Sequence, residues 1–193
     1  HPKDTADIDD SGFREQLVDG VFRMPQGVPF RSYKEGRNIA FTSLWDNYPD
    51  SVGVALEGSG KGMYLLLAGS TNHMQCRHRN GLVTVEYADG TCRQLELRNP
   101  DNWAPIEQEF YVDGKAFSID TPRPYRIALA SGIVSNDMDK ALGLKGFTSR
   151  TIPGGAATVL YIPLRENKPL KSLRLATSAN DVVIGLMAAT IVE

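Results

Sequence analysis

Residues 63–97 read MYLLLAGSTNHMQCRHRNGLVTVEYADGTCRQLEL. The run from Met63 to Ala68 is apolar throughout, lies between Gly62 and Gly69, and is too short for a buried helix. It predicts a strand buried on both faces. A polar loop is expected from Ser70 to Gly81. Val83, Val85 and Tyr87 then alternate with Thr84 and Glu86, Asp89-Gly90 marks a turn, and Leu95 and Leu97 alternate with Gln94 and Glu96, which predicts a hairpin. Cross-strand partners share a face, so loop length decides which residues meet. A two-residue loop would set Val85 against Gln94 and Val83 against Glu96. A three-residue loop, Ala88-Asp89-Gly90 with Gly90 left-handed in a bulge, sets Tyr87 against Thr91 and Val83 against Leu95. Only this second register gathers the odd-numbered apolar residues of both strands on one face, and it is the one expected.

Upstream, HPKDTADIDDSGFREQLVDG (1–20) reads as an irregular arm with a turn or two of helix: Ser11 as a cap, Phe13 and Leu17 four apart, Gly20 as a stop. Residues 21–38, with Pro25, Gly27, Pro29 and Gly36, read as short extended pieces. Strands are expected over Ile39 to Thr42 and Val52 to Leu56, separated by the loop SLWDNYPDS. Downstream of the hairpin, Phe110 to Val112 and Lys115 to Ile119 could pair about Asp113-Gly114, and Tyr125 to Leu129 alternates as a strand. A short helix is expected over Ser135 to Gly143, capped by Ser135 or Asn136. Three strands close the chain: Ala156 to Leu164, Leu170 to Thr177 and Val182 to Val192, the last apolar on both faces and therefore central. Many short strands between Gly, Pro, Asn and Asp turns, with no strand-helix alternation, predict an all-β, two-sheet antiparallel β-sandwich. Two strands apolar on both faces favour a jelly roll over a barrel. The expected organisation is an arm over 1–20 and one sandwich domain over 21–193.

The chain has 193 residues, 41% of them hydrophobic, enough for one domain with a real core. The net charge of −2, with Lys and Arg dispersed, gives no electrostatic case for nucleic acid or an anionic membrane as partner. No apolar run reaches the ~18 residues of a membrane-spanning helix, so a soluble chain is expected. Because it opens on His1 without a signal peptide, the sequence is expected to be a mature product or a piece of something longer. The two cysteines, Cys76 and Cys92, could close a loop within the opening stretch, but they make no disulfide framework and are expected as free thiols packed like small hydrophobes.

Several patterns carry less chemistry than their composition suggests. GSGKG (58–62) lacks the hydroxyl residue of a phosphate loop and leads into a strand, so it reads as a turn. His73, Cys76 and His78 could ligate a metal, yet a zinc site needs a convergent set, and the only other histidine is His1. Asp4, Asp7, Asp9 and Asp10 would suit a structural calcium but lack the order of a calcium loop. No metal or cofactor is expected. A nucleophilic serine or cysteine with its histidine and acid is likewise not in view. Asp46, Asp50, Glu107, Glu109 and Asp120 could supply the carboxylate pair of a glycoside hydrolase, although no spacing selects two of them.

Sugar binding asks for an aromatic face and nearby amides, carboxylates or guanidinium groups. Two loops have that composition: Trp45, Asp46, Asn47 and Tyr48, and a second containing Trp103, Glu107 and Gln108, with Asn72, Gln75 and Arg77 from the loop of the opening stretch to complete a site. The competing role for Trp45 and Trp103 is to cap the two ends of the sandwich core.

The succession GMYLLLAGSTN, GLVTVEYADGTCRQLELRNPDNW and ENKPLKSLRLATSANDVVIGLMAATI resembles the galactose-binding-like jelly-roll domains attached to bacterial glycoside hydrolases. IAFTSLWDNYPDSV and PIEQEFYVDG are similar to the C-terminal region of large glycan-utilisation proteins of gut Bacteroidetes. This resemblance runs from about Ile8 to the end. It implies a non-catalytic accessory β-sandwich of a secreted or periplasmic carbohydrate-active enzyme, binding glycan or packing on a catalytic domain of the same parent protein. The alternative is a small glycoside hydrolase using a carboxylate pair on its own loops.

Overall fold

A computed structural model describes residues 8–71, 76–107, 109, 122–144 and 151–193. Its elements in chain order are α1 (Ser11–Glu15), β1 (Val21–Arg23), β2 (Pro29–Arg31), β3 (Ala40–Ser43), β4 (Ser51–Ala55), β5 (Gly62–Thr71), β6 (Arg79–Tyr87) and β7 (Cys92–Arg98). There follow β8 (Arg126–Ala128), β9 (Val134–Ser135), α2 (Met138–Leu142), β10 (Ala156–Pro163), β11 (Leu170–Thr177) and β12 (Val182–Val192). The strands expected at 110–112 and 115–119 lie outside the described residues.

Two antiparallel sheets face each other. One is ordered β3-β12-β5-β10-β8-β9 and the other β4-β11-β6-β7. Without the short β8 and β9, the remaining eight strands run first-eighth-third-sixth opposite second-seventh-fourth-fifth, the order of a jelly roll. The hairpin β6-β7 takes the register expected from its parity: Val83 lies opposite Leu95, and the Tyr87 amide donates to the Thr91 carbonyl at 2.9 Å. Gly90 sits at φ 80°, where a residue with a Cβ is strained, and closes the turn by donating to the Tyr87 carbonyl. The loop before the hairpin is shorter than its polar sequence suggests. Ser70 and Thr71 continue β5 by pairing with Val183 and Val182, and β6 starts at Arg79 with a bulge before Gly81.

Both strands that are apolar on two faces are central, β5 between β12 and β10, and β12 between β3 and β5. Their inward residues join the core between the sheets, where Met63, Leu65, Leu67 and Ile184 meet Val83, Val85, Tyr87, Leu173 and Leu175. Their outward residues need a second cover, and the N-terminal segment supplies it. Phe13 and Leu17 of the α1 region, with Phe22 and Phe30 of the ribbon β1-β2, pack on Leu66, Ala68, Ala157 and Val159. The rings of Phe13 and Phe22 stack at 4.8 Å. The four apolar side chains spaced through residues 13–30 therefore mark a third layer rather than a loose arm.

Local capping differs by a residue or two from the expected positions. Asp10, not Ser11, precedes α1, and its carboxylate pairs with Arg14 instead of capping. Asp137, rather than Ser135 or Asn136, caps α2 by accepting from the Lys140 amide at 3.0 Å. Both cysteines are free. Cys92 is exposed rather than packed, because its register opposite Glu86 turns it to the solvent face of β7. Among the described residues no helix is long and apolar enough to cross a membrane.

If the third layer belongs to the cooperative unit, Phe22→Ala is expected to cost about 3–5 kcal/mol, as fully buried aromatic truncations do. Urea unfolding measures this. A loss below about 1 kcal/mol would show that the cover melts independently of the sandwich.

Candidate functional site

Jelly-roll order sends the loops β3-β4, β5-β6, β7-β8 and β11-β12 to the same end of the sandwich. The described sugar-binding candidates lie in the first three. Hydrogen bonds tie these loops together: Thr177 donates its amide to Asp50 at 3.0 Å, Ser178 to Asn80 at 2.9 Å, and Arg77 to Asn99 at 2.7 Å. Beneath them is a buried polar layer. The hydroxyls of Thr42 and Thr177 meet at 2.8 Å, and Ser43 donates to the Val182 carbonyl at 2.9 Å. Satisfied buried groups of this kind hold loop bases in one arrangement.

The ten candidates divide sharply. Trp45 and Tyr48 are half-buried, with ring centroids 6.5 Å apart, while Asp46 and Asn47 between them are exposed. The turn is closed by the Tyr48 amide on the Trp45 carbonyl at 3.0 Å, and Phe41 of β3 supports Tyr48 edge-on at 6.4 Å. Arg77 reaches across to Asp101 at 3.0 Å. Trp103 is a correction: it is fully buried in the core between the sheets and has no face to offer a ligand. Its indole N–H donates to Asn80 Oδ1 at 3.0 Å, the partner a buried tryptophan requires. Trp103 thus caps the core, but at the end that also carries Trp45, not at the opposite end. Glu107 turns inward. One of its oxygens accepts from Ser70 at 3.4 Å and the other is buried. Asn72, Gln75 and Gln108 lie outside the described residues.

Sequence reading did not single out Arg126. Its side chain is 6% exposed, and Nη2 donates to the carbonyls of Pro105 at 2.8 Å and Ala156 at 3.1 Å. Glu109, 5% exposed, faces Arg126 at 3.6 Å and accepts from Arg123 at 3.1 Å. Burial pushes the Glu109 carboxyl above its ordinary value, with the two arginines opposing, and burial lowers the Arg126 guanidinium to about 10. Loss of solvation is the larger influence on both groups. The network clamps residues 105–107 and Glu109 onto β8 and β10. The space beside Glu109 is about 20 Å3, room for a water molecule and not for a sugar ring.

Among the described residues no three His, Cys, Asp or Glu side chains gather around a common point. Asp9 accepts from the Ser11 amide at 3.0 Å, and Asp10 holds Arg14 and Asn38, so each has a partner within the protein. His73 lies outside the described residues.

Removing one member of a buried ion pair strands the other, and Arg126→Met is expected to destabilise the fold by about 3–5 kcal/mol at neutral pH. The sign with pH is definite. A carboxyl whose folded pKa exceeds its unfolded value of 4.5 contributes its stability below 4.5 and loses it as pH rises through the folded value. Without the arginine that value rises further, so the penalty of Arg126→Met should grow from acid toward neutral pH, and adding Glu109→Gln should recover part of it. Denaturation curves at several pH values measure both effects. A pH-independent penalty would remove Glu109 as the coupled group.

No family model, no curated protein and no solved structure matches this chain.

Proposed function

We propose that this chain is a non-catalytic jelly-roll module of a secreted or periplasmic carbohydrate-active enzyme, and that it takes glycan at the loop end carrying Trp45, Asp46, Asn47 and Tyr48. The observation that supports this best is the character of that turn. It presents two half-buried aromatic rings on either side of an exposed carboxylate and an exposed amide. A pyranose has an apolar C–H face for such a ring and hydroxyls for such polar groups. The turn rests on a buried polar layer, so its geometry exists before a ligand arrives and little ordering cost opposes binding.

A second reading, packing on a catalytic domain of the same parent protein, is favoured by a groove of about 430 Å3 beside β3. Tyr33, 71% exposed, and Val54, 39% exposed, line it. Apolar groups gathered in that way on a surface are suited to a protein partner.

A glycan array followed by calorimetry tests the first reading. Trp45→Ala is expected to weaken the best glycan about tenfold, or about 1.4 kcal/mol, with unfolding unchanged. Trp103→Ala should instead unfold the domain, at about 3–5 kcal/mol. Absence of binding to every glycan would remove the sugar reading and leave the packing one.

A further inference from the structure

β10 pairs with β8 only over Ala156–Thr158. The Val159 amide still donates to the Tyr125 carbonyl at 2.8 Å, and past it that edge of β10 opens into a cleft of about 440 Å3, walled on one side by the turn of the β1-β2 ribbon and on the other by Pro122 to Tyr125. This volume falls within the range of about 300–1,000 Å3 typical of small-ligand sites. On the outer face of the sheet Tyr161 stands opposite Tyr64, their centroids 4.9 Å apart. The Tyr161 ring lies over Gly62: a Cβ added there would come within 2.4 Å of both Cε2 and Oη. Glycine at this position lets the ring settle on the backbone, which fixes one face and leaves the side chain 46% exposed. Tyr125, 39% exposed, lines the same cleft.

We infer that this cleft is a second saccharide site, with the Tyr161 ring as its platform. The inference rests on the carbohydrate reading above only for its ligand class and shares no residue with the loop end. Polar groups around the rings select the class further. Gln26 is exposed at the ribbon turn, and Asn102, Asp101 and Arg123 stand at the far rim. Each of these three is held by neighbours, Asn102 by the Glu96 carbonyl at 2.8 Å and the Arg98 amide at 2.9 Å, Asp101 by Arg77 at 3.0 Å and Arg123 by Glu109 at 3.1 Å. Each keeps further donor or acceptor capacity. Because Asp101 and Arg123 are both paired with opposite charges, the rim is balanced and suits a neutral ligand. An apolar molecule would leave these groups unanswered, and a charged one would find no surplus charge. Hydroxyls, which both give and accept hydrogen bonds beside a C–H face, answer both the rim and the rings.

The test uses the 193-residue chain titrated calorimetrically with neutral gluco-, galacto-, manno- and xylo-tetrasaccharides, as wild type, Tyr161→Ala, Tyr161→Phe and Trp45→Ala. At least one tetrasaccharide is expected to bind so that Tyr161→Ala weakens it about tenfold or more, Tyr161→Phe keeps most of the affinity and Trp45→Ala leaves it unchanged. Urea curves confirm that each variant is folded. Binding that is lost in Trp45→Ala and intact in Tyr161→Ala would overturn the cleft and leave the loop-end reading standing. The reverse pattern supports the cleft, and the loop end is then judged by the glycan that Trp45→Ala weakens. No response to any tetrasaccharide overturns the cleft, and so does protection of the β10 edge amides by an added extended peptide without saccharide binding, which would make the edge a strand-docking site.

Discussion

The six-stranded sheet must be covered twice, and the rest of the structure depends on that constraint. Leu65 and Leu67 point inward from β5 while Leu66 and Ala68 point outward, and each side is fully buried. Each large apolar side chain left in water would cost about 1.5–3 kcal/mol, so a two-layer sandwich of this sequence could not stand with its outer face bare. The four-stranded sheet covers one side. The other is covered by residues 13–30, which carry little regular structure but bring Phe13, Leu17, Phe22 and Phe30 onto the sheet. Thr190 donates to the Pro29 carbonyl and ties the ribbon to the end of β12. The cover is part of the fold because the sheet has nowhere else to put its outer leucine and valine side chains.

What could be read in advance follows the range of each interaction. The hairpin register was legible because Val83 and Leu95 lie a dozen residues apart and a single parity decides between two loops. Central placement of β5 and β12 was legible because a strand buried on both faces shows an unbroken apolar run. Trp103 was not legible. Whether an indole faces water or core depends on an acceptor contributed by Asn80, from a strand start that the polar loop sequence concealed. The Arg126 and Glu109 pair was equally hidden. In sequence they are two ordinary charged residues, and only the packing of 105–107 and Glu109 against β8 and β10 buries both. Periodicity reports faces, and these residues sit where the chain leaves its periodic elements.

The polar residues that are buried concentrate where the jelly-roll order gathers loops. Thr42, Ser43, Thr71, Asn80, Asn99 and Thr177 all lie at the ends of strands that lead into the loop end. Leaving such groups unpaired would cost about 1–3 kcal/mol each, and most are answered, Thr42 by Thr177, Ser43 by the Val182 carbonyl and Asn80 Oδ1 by the Trp103 indole, whereas Asn99 Oδ1 is buried without a hydrogen bond among the described residues. The opposite end is closed with less. There the β6-β7 turn is three residues long, and its carboxylate Asp89 pairs with Lys168 at 2.5 Å on the surface, a contact of small energetic weight. One end of the molecule is therefore an ordered polar platform and the other a set of tight turns.

These assignments restrict where a ligand can meet this module. The outer face of the six-stranded sheet is covered by the N-terminal layer at Leu66, Ala68, Ala157, Val159 and Met187. The outward positions of the four-stranded sheet carry Thr84, Glu86, Gln94, Glu96, Ser172 and Arg174, with Lys171 held on Glu86 at 2.7 Å, and no aromatic ring. That face is solvated and lacks what a pyranose would stack on. Among the described residues, aromatic surface is exposed in three places: the turn of Trp45 and Tyr48, the groove beside β3 with Tyr33, and the stretch beside β10 with Tyr161 and Tyr125. The loop end arises because jelly-roll order collects it, and the cleft because β8 is only three residues long: Tyr125 adds one bond, to the Val159 amide at 2.8 Å, and among the described residues no strand continues beside β10 beyond it. A short strand that looks like a defect in the sheet is what opens the cleft beside Tyr161.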